Sequence, residues 1–365
     1  MARKLWKLSL WLLTAVGALI VYKLAFLMPE ATERIYSRGV YPVLTKIFGT
    51  LTAWAPFSIA EVLLYIFAAT VLFFVVFTFF SLFKPRGKKL YHFFRRFLTL
   101  VIILCLIYFC FVFGWALNYA RLPLSQTLDL PVRNSTTEEL REVCEILVEQ
   151  ANTRREAVKE DANGVYTLGR SRDTICTMTD SIYQQNAPEL LYVSVSTRIK
   201  PVATPNLLSI TETTGIFSPF TYEPNINMQM PDLTFAACAC HEYAHLQGFA
   251  REDEANFIAW LVAHDADDPD FAYSASVHAL IYALNALHKA SYDDWQEVYA
   301  RLCPGIRRDF ADYNDYWDQF DTEFSEKSND IYNSYLQQNG VDDGRQSYGR
   351  MVDLILAMHR KGALA

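Results

Sequence analysis

The sequence predicts an α+β protein: three N-terminal transmembrane helices (residues 1–121), then a mostly helical extracytoplasmic domain with a small β-sheet (residues 122–365). Three observations carry this reading. Apolar residues make up 52% of the 365, a high share for a soluble chain. They concentrate in runs at about 5–28, 59–83 and 97–117, each long enough for the roughly 20 helical residues that cross a bilayer. Charge divides at the same place: residues 1–121 hold 14 Lys and Arg against 3 Asp and Glu, and the remainder holds 19 against 37.

The first run, LWKLSLWLLTAVGALIVYKLAFLM, is too long for a signal peptide, lacks a small-residue cleavage site and is followed by two further spans. Basic residues orient the spans. Arg3, Lys4 and Lys7 precede the first, and Lys84, Arg86, Lys88, Lys89, Arg95 and Arg96 lie between the second and third. Both segments are expected in the cytoplasm. Residues 29–58 carry only Arg34, Arg38 and Lys46, partly offset by Glu30 and Glu33, and belong outside. Everything after about Asn118 then lies outside, in a multi-pass protein of the cell membrane. The external segment YPVLTKIFGTLTAWAPFS is amphipathic and suits either a stretch along the membrane surface or an ordinary packed loop. The acidic remainder is a poor nucleic-acid binder, because phosphate contacts need basic residues, and is expected to be repelled by anionic lipid head groups; no nucleic-acid partner is expected.

Beyond the third span, NYARLPLSQTLDLPVRNS reads as an extended linker. A helix follows from Ser135, with a Ser135/Glu138 capping box and apolar residues at helical spacing. A polar stretch runs to about Arg172, then a short helix covers TICTMTDSIYQQ. Residues 190–230 are rich in β-branched and aromatic residues punctuated by Pro, Gly and Asn, which predicts two to four strands. From Pro231 the pattern is helical nearly to the end, with breaks near Gly248, Asp267 to Asp270, Pro304, and Asn339 to Gly344. Five cysteines beyond the spans have no regular spacing, so they form no disulfide framework, though a single Cys144–Cys176 bridge stays open. Cys238 and Cys240 read as small core residues.

PDLTFAACACHEYAHLQ reads as a helix from about Asp232. Positions four apart share a helix face, so His241 and His245 can offer two imidazoles to one metal ion. Glu242, next to the first, can serve as general base. Zinc lowers the pKa of a water it binds towards about 7, and a neighbouring carboxylate can take its proton during attack on a carbonyl. One zinc per chain is expected. The small, apolar neighbours Ala236, Ala237, Cys238, Cys240 and Ala244 predict a buried helix, where unpartnered imidazoles would be costly. Gly248 is the natural stop, and EDEANFIAWLVAHD starts the next helix. Glu252 shares a face with Ala255, Asn256 and Ala259, small enough for close contact. Glu252 is therefore the favoured third ligand and Glu254 the alternative, with Asn256 placed to hydrogen-bond a ligand histidine.

Glu252 followed by Ala255 and Asn256 resembles the third-ligand helix of the gluzincin metallopeptidases, which implies a zincin-like domain. Its separation from HEYAH is shorter than in that group. The glycine turn of HEYAHLQG resembles the metzincins, but Arg251 stands where their third histidine would. APFSIAEVL, WALNYARLPL, GIFSPFTYEPNIN, HEYAHLQGFAREDEANF and YGRMVDLILAM resemble a bacterial membrane family catalogued as domain of unknown function 3810. That resemblance implies a zinc peptidase of the cell membrane and no particular substrate. In peptidases of this type the segment before the histidine helix carries an edge strand for substrate backbone, so Glu223 and Asn225 are candidates to line the cleft. Tyr348 and Arg350 are candidates to stabilise an oxyanion, with loop packing or a helix cap as the plain alternative. His264, His278, His288 and His359 read as structural.

The expected function is a membrane-anchored zinc metallopeptidase acting on a peptide or protein substrate outside the cytoplasm or at the membrane. Competing readings are a metal-dependent amidase, and a non-catalytic membrane sensor or assembly factor that retains a zinc site. A purely structural zinc is disfavoured, since such sites use four protein ligands rich in cysteine.

Overall fold

A computed structural model describes residues 9–81, 89–193, 195, 198–341 and 350–364. The chain is mostly helical, with one three-stranded sheet. Helices α1 (Leu10–Phe26) and α2 (Pro29–Ala53) form a pair bent by 105°. Pro29 starts the second helix, and a π-helical stretch, Thr32–Val40, lies within it. α3 (Ile59–Ser81) and α4 (Lys89–Gly114) follow. Ile59–Phe80 and Tyr91–Gly114 are long and apolar enough to cross a membrane, and the bent pair makes a third span if counted as one. Lys84, Arg86, Lys88 and the first eight residues lie outside the described residues.

α2 occupies the segment expected to be external, and it is packed on one face. Tyr41, Thr45, Gly49 and Thr52 recur every three or four residues and are buried. A methyl group on Gly49 would sit 3.3 Å from Val195, so the small residue permits the close approach.

The expected linker after α4 is only partly extended. A 3-10 turn, Ala116–Ala120, and a helical turn, Leu124–Thr127, bury Asn118, Arg121 and Leu124. α5 (Thr137–Arg155) begins one residue later than its capping box was placed. Thr136 accepts from the Glu139 backbone N–H and Glu139 reaches back, where Ser135 and Glu138 were expected. Adjacent Ser and Thr, followed by adjacent glutamates, fit the box pattern in either register. α6 (Arg172–Asn186) is followed by β1 (Lys200–Pro201), β2 (Gly215–Ser218) and β3 (Glu223–Ile226). β3 is central. Lys200 of β1 lies parallel opposite Asn225, and Ile216 of β2 lies antiparallel opposite the same residue. Among the described residues β2 has no strand on its other edge.

The helical remainder comprises α7 (Phe235–Leu246), α8 (Glu252–Ala263), α9 (Pro269–Ala290), α10 (Tyr292–Tyr299), α11 (Pro304–Asp318), α12 (Glu323–Gln338) and α13 (Met351–Arg360). Two breaks were not expected, at Ser291 and Thr322. Each is an N-cap whose hydroxyl accepts a backbone N–H of the next helix. α7 sits at the centre of the fold, against α6, α8, α9 and the β2–β3 hairpin. Ala236, Ala237, Ala239, Cys240 and Ala244 have no exposed surface, so neighbours close in on all sides. None of the seven cysteines is paired; Cys144 and Cys176 are buried free thiols, as are Cys238 and Cys240.

Candidate metal centre

α7 stops where the glycine was expected to stop it. Gly248 adopts φ +88°, and the N–H groups of Gly248 and Phe249 donate to the carbonyls of His245 and Ala244. This is a helix end that only glycine makes without strain. The reversal brings α8 back along α7 with Glu252 at its first residue, where a carboxylate also suits the helix dipole.

The geometry then converges. His241, His245 and Glu252 each offer one ligand-type atom, and these atoms lie within 4.8 Å of one another. The Nε2 atoms of His241 and His245 stand 3.2 Å and 3.7 Å from Glu252 Oε2. His245 Nδ1 sits 2.7 Å from the Phe249 carbonyl, which orients the ring and leaves Nε2 facing the cluster in the matching tautomer. The indole of Trp115 meets the His245 ring edge-on at 5.8 Å. Asn256 lies beside His241 and favours its protonated form, yet His241 Nδ1 makes no hydrogen bond of ordinary geometry.

Burial lowers the pKa of His241, with Glu252 opposing. Burial also opposes protonation of His245, but Glu252 holds it up to about 9. Glu252 is held well below the usual carboxylate range by His245 and His241, despite burial. The buried carboxylate of Glu252 between the two imidazoles therefore favours a positive charge at the centre of the cluster. Two imidazoles and a carboxylate at this spacing fit zinc.

Glu242 is buried beside the cluster, and its Oε2 has no hydrogen-bond partner. Burial pushes its carboxyl up to about 8. It lies against the first residue of β2: a Cβ on Gly215 would fall 2.5 Å from Glu242 Oε1 and 2.6 Å from its Cγ. The edge strand and the general-base candidate thus touch.

Glu254, the alternative ligand, faces elsewhere. Its Oε1 accepts from the Leu124 N–H at 2.7 Å and from Arg251 at 3.0 Å. Glu223 and Asn225 are also corrected. Glu223 is fully buried, ion-paired with Lys200, and accepts from the backbone N–H groups of Ile59 and Ala60. It closes the N-terminus of α3 rather than lining a cleft. Asn225 is buried in the central strand and donates to the carbonyls of Ile216 and Glu223. Tyr348 lies outside the described residues. Arg350 is the exposed N-cap of α13, and its charge acts on Asp253 and Asp353. His278 is close enough to His241 to repel its charge, and burial pushes its own pKa down to about 3.

Several residues around the site had no signal in the sequence. The hydroxyl of Tyr332, on α12, donates to Glu252 Oε1 at 2.6 Å. Tyr41, on α2, donates to the carbonyls of His245 and Leu246 at 3.1 Å and 3.3 Å. Arg121 makes a bidentate pair with Glu33 at 2.8 Å and donates to the Gly248 carbonyl at 2.9 Å. Its guanidinium lies 4.3 Å from the centre of the Phe249 ring. No motif points to them, because each lies far along the chain from its partner.

The family model described as "Protein of unknown function (DUF3810)" matches residues 36–356. The chain belongs to this family. The matched span takes in most of α2, both long apolar helices, the sheet and the whole candidate metal centre. No curated protein and no solved structure matches the chain, so the likeness to gluzincins rests on the motif alone.

Proposed function

We propose that the protein is a membrane-anchored zinc metallopeptidase with a zincin-like domain on the outer side of the membrane. The observation that carries this reading is the convergence of His241, His245 and Glu252 from two helices, with Glu242 beside them. Bound zinc would supply a Lewis acid and a water of lowered pKa. His241, His245 and Glu252 would hold the ion. Tyr332 steadies Glu252 from behind, and Asn256 lies beside His241. Glu242 takes a proton from the attacking water and passes it to the leaving amine. β2, with no strand on its other edge among the described residues, offers backbone groups to an extended peptide.

The test is Glu242→Gln in the full-length protein. Because Glu242 lies outside the ligand set, the variant should keep about one zinc per chain, as a three-ligand site does. Activity should fall roughly 10²–10⁴-fold, the usual contribution of general-base catalysis. Uncleaved substrate should then accumulate when protein termini outside the cytoplasm are compared between variant and parent strains. Full complementation of a deletion strain by Glu242→Gln, with none by His241→Ala, would replace the peptidase with a metal-dependent sensor or assembly factor.

A further inference from the structure

The sheet is fastened to the ends of the membrane helices. Glu223 accepts from Ile59 and Ala60, the first residues of α3, at 3.3 Å and 2.7 Å. The Tyr222 hydroxyl donates to the carbonyl of Gly114, the last residue of α4, at 3.0 Å. Thr52, near the end of α2, donates to the Thr221 carbonyl at 3.1 Å. Glu61 accepts from the backbone N–H of Thr204 at 3.0 Å. The β2–β3 hairpin and the stretch before it therefore lie level with the site-side ends of α3 and α4.

α2 crosses this level, turned 105° from α1. One face is buried against the site domain. On the opposite face Val40, Val43, Ile47, Leu51 and Trp54 are between 45% and 74% exposed. An apolar stripe that long is not left to water. Short breaks join this helix to an apolar helix on either side, Leu10–Phe26 before it and Ile59–Ser81 after it, so the cover is lipid, at the boundary between headgroups and acyl chains. Apolar side chains are also exposed at the edge of the sheet: Leu207, Ile216 and Phe220 are about half exposed, and Ile216 belongs to β2 itself.

We propose that the metal centre works at the membrane surface, and that its substrate is the extended, membrane-proximal segment of a membrane-anchored polypeptide laid along β2. The cleavage rests on the hydrolase reading above, whereas the lipid contact does not. The docking is apolar, since the acidic domain gains nothing from anionic lipid.

The first arm reads lipid contact without activity. The full-length protein is placed in phosphatidylcholine nanodiscs doped with a phosphatidylcholine that carries a diazirine near the acyl carbonyl, then irradiated and mapped by mass spectrometry. Adducts are expected on 43–54 of α2 and on 207–220, and none at Tyr292 of α10. Adducts confined to α1, α3 and α4 would overturn the proposal. Adducts on α2 without 207–220 would lift β2 off the surface and overturn the substrate class.

The second arm uses zinc-loaded protein in phosphatidylcholine vesicles. One unstructured peptide is offered free, on a palmitoyl anchor, and on the same anchor behind a long Gly-Ser spacer. The directly anchored form should be cleaved roughly tenfold faster than either other, since tethering raises effective concentration only where the linker fits the span. Equal rates for the short and long tethers would overturn the membrane-proximal class. Cleavage of none would overturn the hydrolase reading and the substrate with it, while the adduct map stands as its own result.

Discussion

Glu252 and Glu254 stand on one turn of α8, and their surroundings give them opposite tasks. Glu252 faces two imidazoles, while Glu254 holds the Leu124 N–H and Arg251. Glu252→Gln should therefore abolish stoichiometric zinc, and Glu254→Gln should retain it; metal analysis of the purified variants decides, and the reverse result would move the site. Tyr332 touches the ligand oxygen not aimed at the histidines. Removing such an outer partner typically weakens metal binding about 10–100-fold, so Tyr332→Phe should raise the zinc dissociation constant by that order in competition with a chelator, leaving the fold intact. Gly215 is a different case. A methyl group there collides with the Glu242 side chain, including its Cγ. Gly215→Ala should cut activity by displacing the base while zinc remains bound; unchanged activity would show that β2 yields.

The clamp on the C-terminal end of α7 belongs to α2 and the chain just after α4. Tyr41 caps its last carbonyls, Arg121 holds the Gly248 carbonyl just beyond them, and Glu33 holds Arg121 in place with both side chains buried. Breaking a buried pair by deleting one partner leaves an uncompensated charge and costs about 3–5 kcal/mol. Glu33→Ala should accordingly lower the Tm in detergent, and it should loosen zinc because the Gly248 turn loses its anchor. A double variant that also replaces Arg121 with Leu should recover much of the Tm; no recovery would mean that the pair is not the source. α5 offers a pH test. Arg360, then the Thr136 backbone and Arg133, hold the Glu139 carboxyl down at about 2, against an ordinary value near 4.5. A depressed carboxyl stabilises the fold fully above its unfolded pKa and stops doing so as pH falls through its folded one. The Tm gap between wild type and Glu139→Gln should thus be widest above about pH 5 and close towards pH 2.

α2 and the hairpin, rather than a flexible stalk, join the long apolar helices to the candidate metal centre. A ligand that binds only the folded state stabilises it by mass action, about 4 kcal/mol at a thousandfold excess over its Kd. Chelation should therefore lower the Tm of the zinc-loaded protein, and zinc alone should restore it; an unchanged Tm would argue against the site. How much of this could be read from the chain follows from distance along it. The apolar runs, the histidine pair and the glycine stop are local patterns, and α3, α7 and Gly248 appear where those patterns put them, whereas α4 starts at Lys89, eight residues before its apolar run. The site had to be assembled from farther away. Composition around Glu252 favoured it over Glu254, but only the reversal of α8 onto α7 separates two glutamates that share a helix turn. Glu223 looked available for a substrate because nothing nearby in sequence claims it, and its partners Lys200, Ile59 and Ala60 come from a strand and a membrane helix. Residues 29–58 admitted two readings because amphipathicity records two unlike faces without naming what covers each. Local periodicity carries the periods of helix and strand, whereas the pairing of Tyr332 with Glu252 or Arg121 with Glu33 arises only when helices far apart in the chain pack and bury the same polar atoms.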